Sequence, residues 1–115
     1  MAVLRLERSA IPSPGTSGFR TKGLTYASAR AYYDVAVPGG AAAVSEAIAK
    51  TGDEALAAFF NQPFTSGSWY DVLPIATISA FAARLRGVSH AQLVRENAAW
   101  VAKRDLAGVY RLRRA

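Results

Sequence analysis

The chain has 115 residues, with 14 Lys and Arg against 8 Asp and Glu, one His, no Cys, and 51% of its positions apolar. That is one domain, able to bury roughly two thirds of the surface its unfolded chain exposes without disulfide or metal staples, and the lack of Cys beside a lone His90 excludes thiol catalysis, Cys-based zinc and multi-His metal sites. No apolar run reaches the ~18 residues of a membrane span, and the start, where Arg5, Glu7 and Arg8 interrupt the apolar residues, lacks a signal peptide's apolar stretch, so a cytoplasmic protein with no membrane partner is expected.

Residues 1–23 read as a leader and linker. Val3 to Glu7 can form one short strand, and the two prolines and two glycines between Ile11 and Gly18 sustain neither helix nor ladder. From residue 24 to 115 the pattern predicts a single α-helical domain. Its first helix spans 26–37, with Thr25 as N-cap and Pro38-Gly39-Gly40 as the stop. A second spans 41–50, and a third, capped by Asp53, spans 54–61 with Leu56, Phe59 and Phe60 on its apolar side.

Ser68 is a candidate cap for a helical segment starting Trp69-Tyr70-Asp71. Pro74 then demands either a fresh helix start after a single turn at 69–73, or a kink. Ile75, Ile78, Ala82 and Leu85 mark a helix that Gly87 ends. Ser89-His90-Ala91-Gln92 is a capping box with Val88 stapling onto Leu93, and it opens a long helix to about Lys103. Asp105 can restart a last short helix through Leu106, Val109, Tyr110 and Leu112. With 24 alanines and little β-branched alternation after residue 24, the expected fold class is all-α, a compact bundle of five or six helices behind an extended Pro/Gly-rich leader.

Charge is segregated along the chain: residues 1–30 carry +4, residues 31–83 carry −4 and residues 84–115 carry +6. Such asymmetry steers acidic partners or nucleic acid, and serves equally as a solvated surface. No catalytic constellation emerges, since the acids sit at helix starts, His90 lies in a first helical turn, and no serine occupies a nucleophile elbow. Neither a catalytic residue, a metal ligand nor a cofactor is assigned. The aromatic concentration is the stronger signal: Trp69 and Tyr70, with Tyr33 and Phe60, form either core or the rim of a groove for a ligand or protein partner. Leu106, Val109, Tyr110 and Leu112, beside Arg113 and Arg114, form an apolar stripe rimmed by charge, which predicts self-association.

The run from Ala82 to Leu93 also follows the rhythm of a helix-turn-helix. It departs from that pattern at Arg86, where the turn wants an apolar residue, and at Glu96, which falls on the inward side.

Lys22-Gly23, Ser68-Trp69-Tyr70 with Pro74, Gly87-x-Ser89 before Arg95-Glu96, and Asp105-Leu106-x-Gly108-Val109-Tyr110-Arg111 together resemble a paralogous family of uncharacterised helical proteins of myxobacteria and related deltaproteobacteria. The composition, 11 Arg against 3 Lys, is similar to that of such high-GC sources. A fainter similarity runs to haem nitric-oxide-binding sensor domains, without a match for their haem-ligating His. Members of that family have no established activity, and the resemblance implies a chain that continues past Tyr110-Arg111 in its relatives, so that this one reads as a truncated member or a fragment. The expected function, a non-catalytic sensory or protein-interaction domain, rests on the aromatic groove around Trp69 and Tyr70. A basic DNA-binding regulator using residues 75–103 is the alternative.

Overall fold

Gly23 stands where a side chain has no room. A Cβ at this position would lie 2.7 Å from Cε2 of Tyr70 and closer still to the backbone oxygen of Thr65, so the chain here must be glycine for the first helix to start against the 65–70 loop. The computed structural model describes residues 13–114, and the side chains of residues 13–105. Its elements are β1 (Arg20–Lys22), α1 (Gly23–Ala36), α2 (Gly40–Lys50), α3 (Glu54–Asn61), β2 (Trp69–Asp71), α4 (Pro74–Arg86) and α5 (His90–Arg114).

Mostly helical is therefore correct, and all-α is not. The chain forms a two-stranded antiparallel ribbon in which Arg20 pairs with Asp71, Thr21 with Tyr70 and Lys22 with Trp69. The expected helical start at Trp69 fails because Trp and Tyr are better strand than helix formers, and because residues 20–22 lie alongside to supply the ladder. Of the two readings of Pro74, the fresh start holds: it sits in the first turn of α4, where its missing N–H would be unsatisfied anyway.

Local signals set most other boundaries. Asp53 accepts from the Leu56 N–H at 3.1 Å and caps α3, and Ser89 Oγ accepts from the Gln92 N–H at 3.1 Å to cap α5. Gly87, at φ +80°, ends α4 with its own N–H bonded to Arg84 and that of Val88 to Ala83, the pairing of a Schellman close. The first helix begins three residues earlier than expected, because the ribbon delivers the chain directly into it. The expected break at Asp105 does not occur, and α5 runs unbroken for 25 residues, ~37 Å at the usual rise. Gly108 weakens a helix interior by about 1 kcal/mol, which is too little to end it.

Helix α1 is the hub, packing against α2, α4 and α5, while α2 also carries α3. The hub follows from sequence spacing: Tyr26, Ala29, Tyr32 and Tyr33 recur on one face and are all buried. Around them close Val44 and Ile48 of α2, Leu56 and Phe60 of α3, Ile78 and Ala82 of α4 and Leu93 of α5. Two charges on α1 fasten the neighbouring helices. Arg30 donates to the Phe60 carbonyl at 2.8 Å near the end of α3, and Asp34 accepts from the Ala41 N–H at 2.8 Å at the start of α2. Each charge has the sign that its helix end favours.

Helix α5 lies antiparallel to α1. Tyr32 meets Trp100, their rings 5.8 Å apart, while Arg104 donates to Ser28 at 2.9 Å one turn towards the start of α1.

Candidate functional site

The ribbon is tied to the body by Asp71, one of the most deeply buried polar residues described. Its carboxylate accepts from the N–H groups of Gly15 at 3.0 Å, Ser17 at 3.1 Å and Leu73 at 3.1 Å, and from the Ser17 hydroxyl. Burial alone would raise its pKa, but the Ser17 hydroxyl and the three N–H groups outweigh that and hold the carboxyl below the usual carboxylate range. On the other side the Tyr26 hydroxyl donates to the Asp71 carbonyl at 2.6 Å, and burial together with the nearby Asp71 charge pushes that phenol up. Residues 15–17 are thereby pinned beside β2.

This clamp holds an unusual surface. Of the seven large apolar side chains exposed among the described residues, four belong to the ribbon and its flanks: Phe19 (68%), Trp69 (62%), Leu24 and Leu73. Phe19 hands its carbonyl to the Val72 N–H at 3.0 Å, which brings the start of β1 beside the end of β2. Lys22 lies 4.2 Å from the Trp69 ring centre and is held there by the Gly67 carbonyl at 2.8 Å. The indole is thus braced from one side and open on the other. Trp is highly buried on average, so an exposed, braced Trp is the arrangement of a partner contact, and Phe19 is exposed on the opposite face of the ribbon.

The four groove residues separate in space. Tyr33 and Phe60 are fully buried with rings 6.1 Å apart, and they belong to the core. Burial pushes the Tyr33 phenol up, and its hydroxyl has no hydrogen-bond partner among the described residues. Tyr70 is half-buried, its ring 5.0 Å from Phe64, which stacks on Tyr26 at 4.6 Å. The Thr65 N–H donates to the Tyr70 hydroxyl at 2.8 Å and holds this phenol below its ordinary value. Trp69 alone of the four faces solvent broadly. The side chains of Leu106, Val109, Tyr110 and Leu112 lie outside the described residues, although their backbone continues α5.

The sequence reading missed Phe19, Arg20, Lys22 and Leu24. A signal was present: Thr21 between two charged residues, and Trp69-Tyr70 after a turn, are short runs of strand formers.

Two other places carry chemistry-bearing groups. Ser79 Oγ lies 2.6 Å from His90 Nε2 but also donates to the Ala76 carbonyl at 3.0 Å. The hydroxyl has one hydrogen for these two partners, and the direction of its bond to His90 follows the imidazole tautomer. The pair is a bond between α4 and α5. A cleft of about 490 Å³ lies between α1 and the 61–64 loop, lined by Arg30, Asp34, Gln62 and Phe64 among others. Its two charges are those that fasten α2 and α3. Among the described residues no group of three His, Cys, Asp or Glu is placed to hold a metal, and no helix is long and apolar enough to cross a membrane.

No family model matches this chain, and neither a curated protein nor a solved structure does.

Proposed function

We propose that the protein is a non-catalytic protein-interaction domain of the cytoplasm that contacts its partner through the β-ribbon, and that it belongs to the paralogous helical family it resembles. The observation that carries this reading is the exposure of Trp69 on the ribbon, beside Arg20 and Lys22, with Phe19, Leu24 and Leu73 exposed on its flanks and Phe19 on the opposite face. Interfaces enrich aromatic residues and Arg and surround them with a polar rim, and a ribbon clamped through Asp71 presents its side chains with little ordering still to be done on binding. Several residues behind the resemblance fall where the backbone or the surface makes a demand: Gly23 at a close approach, Trp69 on the patch, and Gly87 at positive φ.

Affinity capture with the wild-type chain and with a Phe19→Ser, Trp69→Ser variant of equal thermal stability tests the reading. Proteins retained by the wild type and lost from the variant support it. Identical sets would sink it.

A second reading, a basic DNA-binding regulator, draws on the three-residue turn Gly87-Val88-Ser89 between α4 and α5 and on exposed Arg95 and Lys103. Random duplex DNA bound at low salt and released steeply as salt rises would favour it.

A further inference from the structure

Both edges of the ribbon carry outward-facing backbone groups without a partner among the described residues. In an antiparallel pair, residues alternate between pointing their N–H and C=O groups at the partner strand and pointing them away. The bonds from Val72 N–H to the Phe19 carbonyl and from Gly23 N–H to the Ser68 carbonyl fix that alternation. Thr21 and Tyr70 face each other, so Arg20 and Lys22 turn their backbone groups outward on β1, as do Trp69 and Asp71 on β2. On the β2 side the Asp71 carbonyl is taken by Tyr26 of α1, while the Trp69 N–H and C=O and the Asp71 N–H have no partner among the described residues; that edge carries no cation. On the β1 side the Arg20 N–H and C=O and the Lys22 N–H have no partner among the described residues.

We infer that this edge takes an extended acidic segment of a partner protein as a third strand, in the manner of β-augmentation. The inference rests on the ribbon being the contact element, and adds the occupant and its chemistry. Charge selects that occupant. Arg20 and Lys22 lie on the same face of β1, two residues apart, and both are exposed. Among the described residues their charged ends touch neutral groups and no carboxylate, Arg20 the Gly15 carbonyl at 3.4 Å and Lys22 the Gly67 carbonyl at 2.8 Å and the Trp69 ring. A strand laid alongside places two of its own side chains opposite them on that face, and carboxylates in an acid-x-acid spacing meet both cations. The intervening residue falls on the other face, with Thr21 and the exposed Phe19, and is apolar.

The same charges disfavour a second copy pairing through this edge. Two β1 strands side by side bring four cations together, the device by which short edge strands avoid self-pairing. The chain's own start, with Arg5 and Arg8 against Glu7, has the wrong sign as well.

The test titrates the full chain into a fluorescein-labelled hexapeptide of alternating glutamate and valine, read by anisotropy and by amide chemical shifts. Three further peptides serve as comparisons: one with lysine for glutamate, one with the same composition out of alternation, and one with backbone N-methyl groups on the edge-facing amides. The glutamate peptide binds, with the largest amide shifts at Arg20 and Lys22. Each comparison peptide binds at least tenfold more weakly, and an Arg20→Glu, Lys22→Glu variant that retains its circular dichroism reverses the preference between glutamate and lysine.

Equal binding of the N-methylated peptide overturns the strand addition, and equal binding of the lysine peptide overturns the acidic occupant. Binding by a chain lacking residues 1–12 but not by the full chain overturns the assignment to a partner, because the edge is then taken by the chain itself. Partner capture that depends on Phe19 and Trp69 but ignores all four peptide differences leaves the ribbon reading standing and removes this one.

Discussion

Arg86 at the end of α4 and Glu96 on α5 form an ion pair, and the Tyr32 hydroxyl joins it, receiving from Arg86 at 3.2 Å and donating to Glu96 at 3.4 Å. These are the two positions at which the sequence departs from a helix-turn-helix. Two misplaced charges in that pattern are one cross-link here, between the helices on either side of the turn and the hub α1. Gln92 adds a bond to the second carboxylate oxygen at 3.1 Å.

The pair is about a third exposed (27% and 36%), so solvent screens much of its attraction. A double-mutant cycle with Arg86→Ala and Glu96→Ala should give a coupling of about 1 kcal/mol in denaturant unfolding, shrinking in high salt. Additive single mutants would mean that the pair does not form in solution.

Asp71 makes stability depend on acid. Its carboxyl is held below the usual range in the folded chain, so it stabilises the fold at every pH above the unfolded value of ~3.9, and that contribution is lost as pH falls through the lower folded value. Unfolding free energy should therefore be level in Asp71 above about pH 5 and fall below it. Asp71→Asn should lose stability at neutral pH and show a flatter acid limb. Amide exchange at Gly15 and Ser17 should rise in that variant, because their N–H acceptor has weakened.

Glycine substitution separates close approach from mere openness. Gly23→Ala should cost roughly 1–3 kcal/mol through overpacking against Thr65 and Tyr70. Gly18→Ala, with nothing near its Cβ, should be close to neutral. Thermal midpoints of the two variants measured together check the placement of the ribbon against α1.

Ser89→Ala should cost about 1 kcal/mol by removing the acceptor for the Gln92 N–H. An unchanged unfolding midpoint would show that α5 starts elsewhere.

Trp69 and Phe60 test core against surface. Phe60→Ala empties a fully buried site and should cost about 3–5 kcal/mol. Trp69→Ser gives up little beyond its contact with Lys22 and should stay within about 1 kcal/mol of wild type. A large loss at Trp69 would mean that its ring is buried in solution.

The sequence by itself determined what depends on neighbours a few residues apart. Asp53 and Ser89 start helices because their side chains reach an N–H three residues on, Gly87 ends one because it alone tolerates positive φ there, and the spacing of Tyr26, Ala29 and Tyr33 gives α1 its buried face. The tertiary structure decided whatever needs a distant partner. Trp69-Tyr70-Asp71 has the residues of a capped helical start and becomes a strand because Arg20–Lys22, some fifty positions earlier, pairs with it. Tyr33 and Phe60 share the aromatic character of Trp69 and Tyr70, and only packing sends the first two inside and leaves the indole in solvent. Arg86 and Glu96 each look out of place until the turn between α4 and α5 brings them together. Pairing across long separations is an energetic property of two segments at once, and neither segment carries it alone.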